Sequence, residues 1–310
     1  MPSSAHRICP QCGFNSPSTV ECARCGIVFE KFKFSPVKRS SELISEELAK
    51  RDRSNNEVFT DIKVTVWAFP IAIMISYIVR QFWPLRTVAY FTSVIPLHEL
   101  GHSMIAWLGG RFAFPSGMFV PSAGVSFIAY ERSLPITIAF LGTVFFLAYR
   151  AWIEKLWYFL GLCLLVVISS IYLTGGIDEI LLSVFISYGG IAGEFIIGTV
   201  LILAFFNPLF SRLRWDFFRY PFLLMGTNAY VNAMLTWHHI QSRTESIPFG
   251  TAISSDGAKD AGGDMNRLLA AGWSEADIIS RYLQLGKICL IIITIQYLVA
   301  IYRSRSKDLK

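Results

Sequence analysis

From Thr87 to Leu108 the chain reads TVAYFTSVIPLHELGHSMIAWL, an apolar stretch long enough to cross the ~30 Å hydrocarbon core of a bilayer. Its only charged or imidazole side chains are His98, Glu99 and His102. Ionisable groups in hydrocarbon are costly, so three of them within five residues mark a functional site rather than a solvated helix face. Any fold this chain adopts must therefore enclose that triplet in protein while leaving the rest of the stretch against lipid or other helices.

The whole chain has the same character. Of 310 residues 53% are hydrophobic and only 16% charged, where soluble domains carry about a quarter. Apolar blocks recur near residues 62–79, 87–108, 134–150, 156–173, 180–206, 217–237 and 286–302. The reading is an α-helical multi-pass membrane protein with six or seven apolar spans. The net charge of +6 needs no nucleic acid to explain it, and no nucleic-acid partner is expected. Lys and Arg gather in Lys31–Arg53 and in the tail Arg303–Lys310, the distribution expected of cytoplasmic segments. An even number of spans would then leave both ends in the cytoplasm. The opening residues MPSSAHRICPQCG contain no apolar run of the signal-peptide kind, so an integral inner membrane protein of a prokaryote is expected, with its N-terminus cytoplasmic.

Residues 1–30 form a separate module. Cys9-Pro-Gln-Cys12-Gly and Cys22-Ala-Arg-Cys25-Gly are two CxxCG knuckles, and each directs two thiolates at one point. Together they supply the closed tetrahedral shell of a structural zinc ion. A module this small buries too little surface to fold unaided, so metal binding would supply the folding free energy. Two disulfides are the alternative, which an unexported segment disfavours. The module resembles the zinc ribbons that precede many unrelated proteins, and a protein partner is its expected ligand. Cys163 and Cys289 stand alone in apolar blocks and read as small buried hydrophobes.

Residues 31–61 read as a cytosolic linker, with a short helix over Ser40–Arg53. The membrane domain is expected over 62–303 and a basic tail over 304–310. Residues 109–133 are rich in Gly, Pro and aromatics and alternate like strands, giving a β-like loop directly after the HExxH helix. Residues 238–285 are the longest polar insertion.

A helix from about Pro96 to Leu108, ended by Gly109-Gly110, puts His98 and His102 one turn apart on one face. Two imidazoles at that spacing can share one Zn²⁺ ion. Glu99 lies about 100° further round the helix, near the metal without being forced to bind it. There it can act as a general base, accepting a proton from a water whose pKa zinc lowers to about 7. A chance HExxH on an exposed face would be harmless, but this one sits in an apolar block. Gly101 leaves the helix bare, so that another helix or a substrate can approach closely.

The run Val94-Ile-Pro-Leu-His98-Glu99-Leu-Gly-His102-Ser-Met-Ile-Ala106-Trp-Leu-Gly109-Gly110 resembles the signature helix of site-2-protease-type intramembrane zinc metalloproteases. The resemblance covers about 20 residues and implies a catalytic zinc held by His98 and His102, with Glu99 as general base. It further implies an Asp ligand from a distant segment and strands beside the site in the loop 111–130. That family's usual Asp-Gly motif is absent here. Asp264, heading Asp264-Met-Asn-Arg-Leu-Leu, is the first candidate and is similar to an Asp-x-x-x-Leu-Leu segment of a divergent branch. Asp178, in Gly-Gly-Ile-Asp178-Glu179, is the alternative. Either Asp also reads as a helix N-cap. His238 and His239 are further candidates, though a pair at the end of an apolar block reads more simply as interfacial.

Residues 188–198, YGGIAGEFIIG, form a small-residue stripe suited to close packing against the catalytic helix. Glu194 within it is an intramembrane acid expected to face a polar cavity or to pair with Arg or His. The function expected on these grounds is hydrolysis of peptide bonds in or beside the transmembrane segments of membrane-protein substrates. A third ligand from Glu194 in an ExxxD arrangement is a weaker enzymatic alternative, because Gly198 stands where the Asp would be. The non-enzymatic alternative is a membrane scaffold or sensor that keeps a peptidase fold without catalysis.

Overall fold

The computed structural model describes residues 7–9, 11–17, 20–29, 61–116, 126–207, 215–249 and 262–308. The expected linker up to residue 60, with its helix over Ser40–Arg53, lies outside the described residues, as do 117–125 of the strand-like loop and 250–261 of the polar insertion. The chain divides into two units, Met1–Arg51 and Asp52–Lys310.

In the first unit β1 (Arg7–Ile8) pairs antiparallel with β2 (Asn15–Ser16). Each knuckle turns on a left-handed glycine, Gly13 at φ 69° and Gly26 at φ 71°, a conformation that a β-carbon disfavours. The turns close through Gly13 N–H to the Cys9 carbonyl at 2.9 Å and Gly26 N–H to the Cys22 carbonyl at 2.8 Å. All four sulfurs lie within 4.8 Å of one another, with Cys9–Cys25 at 3.5 Å and Cys12–Cys22 at 3.7 Å. None is in a disulfide. Tetrahedral zinc with bonds of about 2.3 Å would set its sulfurs about 3.8 Å apart, close to this spacing. Desolvation pushes the Cys22 thiol up, but the N–H groups of Cys25 and Arg24 and the Cys9 and Cys25 thiols outweigh it and bring it down to about 6. Cys9 and Cys22 pack on Phe29.

The second unit is mostly helical. Its elements are α1 (Ile62–Gln81), α2 (Trp83–Ala89), a π-helical turn (Tyr90–Val94), α3 (Ile95–Leu108), β3 (Arg111–Pro115) and β4 (Ser126–Arg132). After these come α4 (Leu134–Ile153), α5 (Trp157–Gly175), α6 (Glu179–Phe205), α7 (Trp215–Gln241), α8 (Asp264–Ala270) and α9 (Glu275–Asp308). Among the described residues five helices are long and apolar enough to cross a membrane: α1, α4, α5, α6 and α9. Each expected apolar block maps onto helical structure, and block 87–108 is helical throughout, passing from α2 through the π-helical turn into α3 without a break. Pro96 has no N–H to donate one turn back, and the turn before it widens so that Ile95 N–H reaches the Tyr90 carbonyl instead. The α3 helix that follows has 14 residues, about 21 Å of rise. With α2 and the widened turn it makes one helical run over 83–108, and α3 itself is enclosed by its neighbours.

The centre of the unit is α6, which packs most extensively on α3 and α7. The α3 contact is backbone on backbone. A β-carbon on Gly101 would collide with the Gly189 carbonyl and lie 2.7 Å from Gly193 Cα. The bare stripe of α6 therefore meets the bare position of α3, as expected. On the other side of α6, Phe195, Ile202 and Phe205 join Tyr230, Tyr282 and Ile293 in the main core. Cys163 and Cys289 are buried. The last helix runs on through most of the expected basic tail, ending at Asp308, and ties back to α1 by Tyr297 Oη–H to the Val66 carbonyl at 2.7 Å.

The strand-like loop contains an antiparallel ribbon of β3 and β4, with Ala113 opposite Ile128 and a bulge next to Arg111. Its base is pinned to α6. The buried Arg111 guanidinium pairs with the Glu179 carboxylate and donates to Ser183 Oγ at 3.0 Å. Arg132 faces the same carboxylate and donates to the Thr174 and Ile177 carbonyls at 2.9 and 2.7 Å.

Candidate metal centre

His98 and His102 fall one turn apart on α3, and both present Nε2 to the start of α8. His98 Nε2 is 3.2 Å and His102 Nε2 3.0 Å from Asp264 Oδ2. The three donor groups form a cluster within 4.8 Å. Zinc with bonds of about 2.0–2.1 Å holds tetrahedral donors about 3.3 Å apart, so this set fits a zinc ion that keeps one position open. Burial raises the Asp264 carboxyl, but the charges and hydrogen bonds of His102 and His98 outweigh it and hold it well below the usual carboxylate range.

A second, independent feature points to the same spot. Gly190 of α6 passes directly beside the two imidazoles, and a β-carbon there would lie 2.5 Å from both Nε2 atoms. Any side chain at 190 would occupy the space that the three donors surround.

The far nitrogens of the two rings are also fixed. His98 Nδ1 is 2.9 Å from Glu194 Oε1, and His102 Nδ1 is 2.6 Å from the Ile186 carbonyl. A neutral histidine that donates from Nδ1 has its lone pair at Nε2, the tautomer a metal requires. Glu194 therefore sits behind His98 rather than among the donors, and the ExxxD alternative has no geometric support. Its expected pairing with a His is met.

Glu99 is 4% exposed and stands outside the donor cluster. Its Oε2 accepts a hydrogen bond from Ser126 Oγ at 2.7 Å, and the same hydroxyl lies 3.1 Å from the Glu99 carbonyl. Ser126 opens β4, so the ribbon reaches the acid of the HExxH motif. The sequence reading missed Ser126, because a lone serine in a loop has no spacing or periodicity to mark it.

The competing residues are placed elsewhere. Asp178 caps α6, accepting from Leu181 N–H at 2.7 Å, which is its alternative reading as an N-cap. The cap of α8, by contrast, is Gly263, and Asp264 takes the first helical position. His238 is exposed at the end of α7, and His239 Nδ1 faces Glu245 at 3.2 Å.

No family model matches the chain, and no curated protein or solved structure matches it.

Proposed function

We propose that this protein is a membrane-embedded zinc endopeptidase of the site-2-protease type, cleaving peptide bonds in or next to transmembrane segments of membrane proteins. The observation that carries the reading is the convergence of His98, His102 and Asp264, 166 residues apart at the extremes, beside a buried Glu that takes no part in the donor set. Zinc held there would polarise a carbonyl and lower the pKa of water to about 7. The chain's own groups supply the rest. Glu99, oriented by Ser126, takes up the proton of the attacking water and delivers it to the leaving amine. Glu194 and the Ile186 carbonyl hold the two imidazoles in the ligating tautomer. An unwound substrate segment pairs as a further strand with the β3–β4 ribbon, which reaches Glu99 through Ser126. The four cysteines hold a second, structural zinc and make residues 1–30 a ribbon for a protein partner. The remaining proposals are that α3 and α7 lie within the membrane domain beside the five long apolar helices, and that the N-terminus is cytoplasmic.

The test uses full-length protein, in membranes, with a single-span substrate. Wild type and Glu99→Gln should both carry about two zinc ions per chain, with cleavage lost only in the variant. Asp264→Ala should lose one zinc and all cleavage. Undiminished cleavage by Glu99→Gln would sink the protease reading, and unchanged zinc in Asp264→Ala would remove that carboxylate from the site.

A further inference from the structure

The acid of the HExxH motif is held from outside its own helix. Hydroxyls within helices commonly donate to the carbonyl four residues back, and here Thr92, Thr143, Ser183 and Thr294 do so at 2.8 to 2.9 Å. Ser103 stands four residues after Glu99 on α3 and does not. Among the described residues the hydrogen-bond partner of its side chain is Ser126 Oγ, at 3.4 Å. The Glu99 carbonyl accepts instead from Ser126 Oγ at 3.1 Å. Strand β4 has therefore taken the place on α3 that Ser103 would fill by local geometry.

Ser103 is fully buried, at 0% exposure. A position that needed only a small side chain would be served by Ala, because a buried hydroxyl is costly unless it is paired. Proton counting then sets the direction of the bonds. Each hydroxyl has one proton to give, and an ionised carboxylate can only accept. Glu99 Oε2 lies 2.7 Å from Ser126 Oγ, so the Ser126 proton belongs on that oxygen. The Ser103 proton is left with Ser126 Oγ as its acceptor. The three groups form a chain, Ser103 Oγ–H to Ser126 Oγ–H to Glu99 Oε2, in which the first bond polarises and strengthens the second. Among the described residues no other side chain hydrogen-bonds the Glu99 carboxylate, which leaves Oε1 uncommitted.

We propose that Ser103 is a positioning residue of the hydrolytic site. By donating to Ser126 rather than to its own helix, it directs the Ser126 proton onto Oε2 and reserves Oε1 of Glu99 for the attacking water. The inference rests on the peptidase reading above, which gives Glu99 its role as base. In that step water gives one proton to Oε1 as its oxygen bonds the scissile carbonyl carbon. The same proton passes to the leaving amine as the C–N bond breaks. Ser103 and Ser126 keep their protons throughout.

The experiment uses full-length protein in membranes with a single-span substrate, and compares wild type, Ser103→Ala, Ser126→Ala and the double variant. Ser103→Ala should lower kcat roughly threefold, with KM and zinc content unchanged. In the Ser126→Ala background it should lower kcat no further, because the chain is already broken there. A packing role would cost the same in both backgrounds. Unfolding midpoints of the four proteins supply a readout that needs no cleavage, and the two single shifts should not add. Additive effects in the double variant, or loss of zinc from Ser103→Ala, would overturn the proposal. Cleavage that is lost in Glu99→Gln but untouched by Ser103→Ala would sink this proposal alone and leave the peptidase reading standing. Absence of cleavage by wild type would remove that reading and the role of Oε1 together.

Discussion

The two donor clusters of this protein are built in opposite ways. Cys9, Cys12, Cys22 and Cys25 span 17 residues and are aimed by two turns, each closed by two backbone hydrogen bonds and one left-handed glycine. His98, His102 and Asp264 are drawn from two helices far apart in sequence, the first of them held on α6 by backbone contact at Gly101 and Gly189. The first set has four sulfur donors and no vacancy, the composition of a structural site; the second has three nitrogen and oxygen donors, with a carboxylic acid held nearby. A locally built cluster tolerates changes elsewhere in the chain. One assembled from tertiary packing fails when any of the surfaces that bring it together is altered.

That contrast can be broken or sharpened experimentally. Gly190→Val should have the largest effect, because its side chain would fill the space between the imidazoles. Zinc content should fall from about two per chain to about one, with the cysteine-bound ion retained. Loss of both ions, or of neither, would mean the clusters do not differ as described. Glu194→Gln keeps the size but removes the charge behind His98, and zinc affinity at the membrane site should drop about 10–100-fold. Competition with a chromogenic chelator would read this, the cysteine-bound ion serving as an internal control. Ser126→Ala should have the smallest effect, lowering kcat on the order of tenfold with zinc content and KM unchanged. A metal loss in that variant would show that the ribbon supports the donor set rather than the orientation of Glu99.

Much of the candidate metal site was legible because it is local. The i, i+4 spacing of His98 and His102 is a property of one helix turn, and the CxxCG knuckles are complete within five residues each. The small residues at 189, 190 and 193 signalled close packing, though not against which atoms. Asp264 and Asp178 were harder to separate, since both head a helix and both suit an N-cap. Their difference is positional: Asp178 is the cap of its helix and accepts from Leu181 N–H, whereas Gly263 caps the other helix and Asp264 follows it. The π-helical turn inside block 87–108 was only half visible. Pro96 was read as an early helical residue, but its effect on the turn before it is expressed in backbone geometry, as the widened turn at Tyr90–Val94.

The sequence by itself determined the class of the protein and the chemistry on offer: long apolar helices, a two-histidine helix with an acid beside it, and four cysteines in two tight turns. These follow from hydrophobic length, helical period and turn chemistry, all short-range properties. Tertiary structure alone decided which carboxylate faces the histidines, which acid stands behind His98, that Ser126 holds Glu99, and that Gly190 must be bare. Each is a contact across 27 to 166 residues of chain. Such contacts depend on how whole helices pack, and no local pattern encodes that.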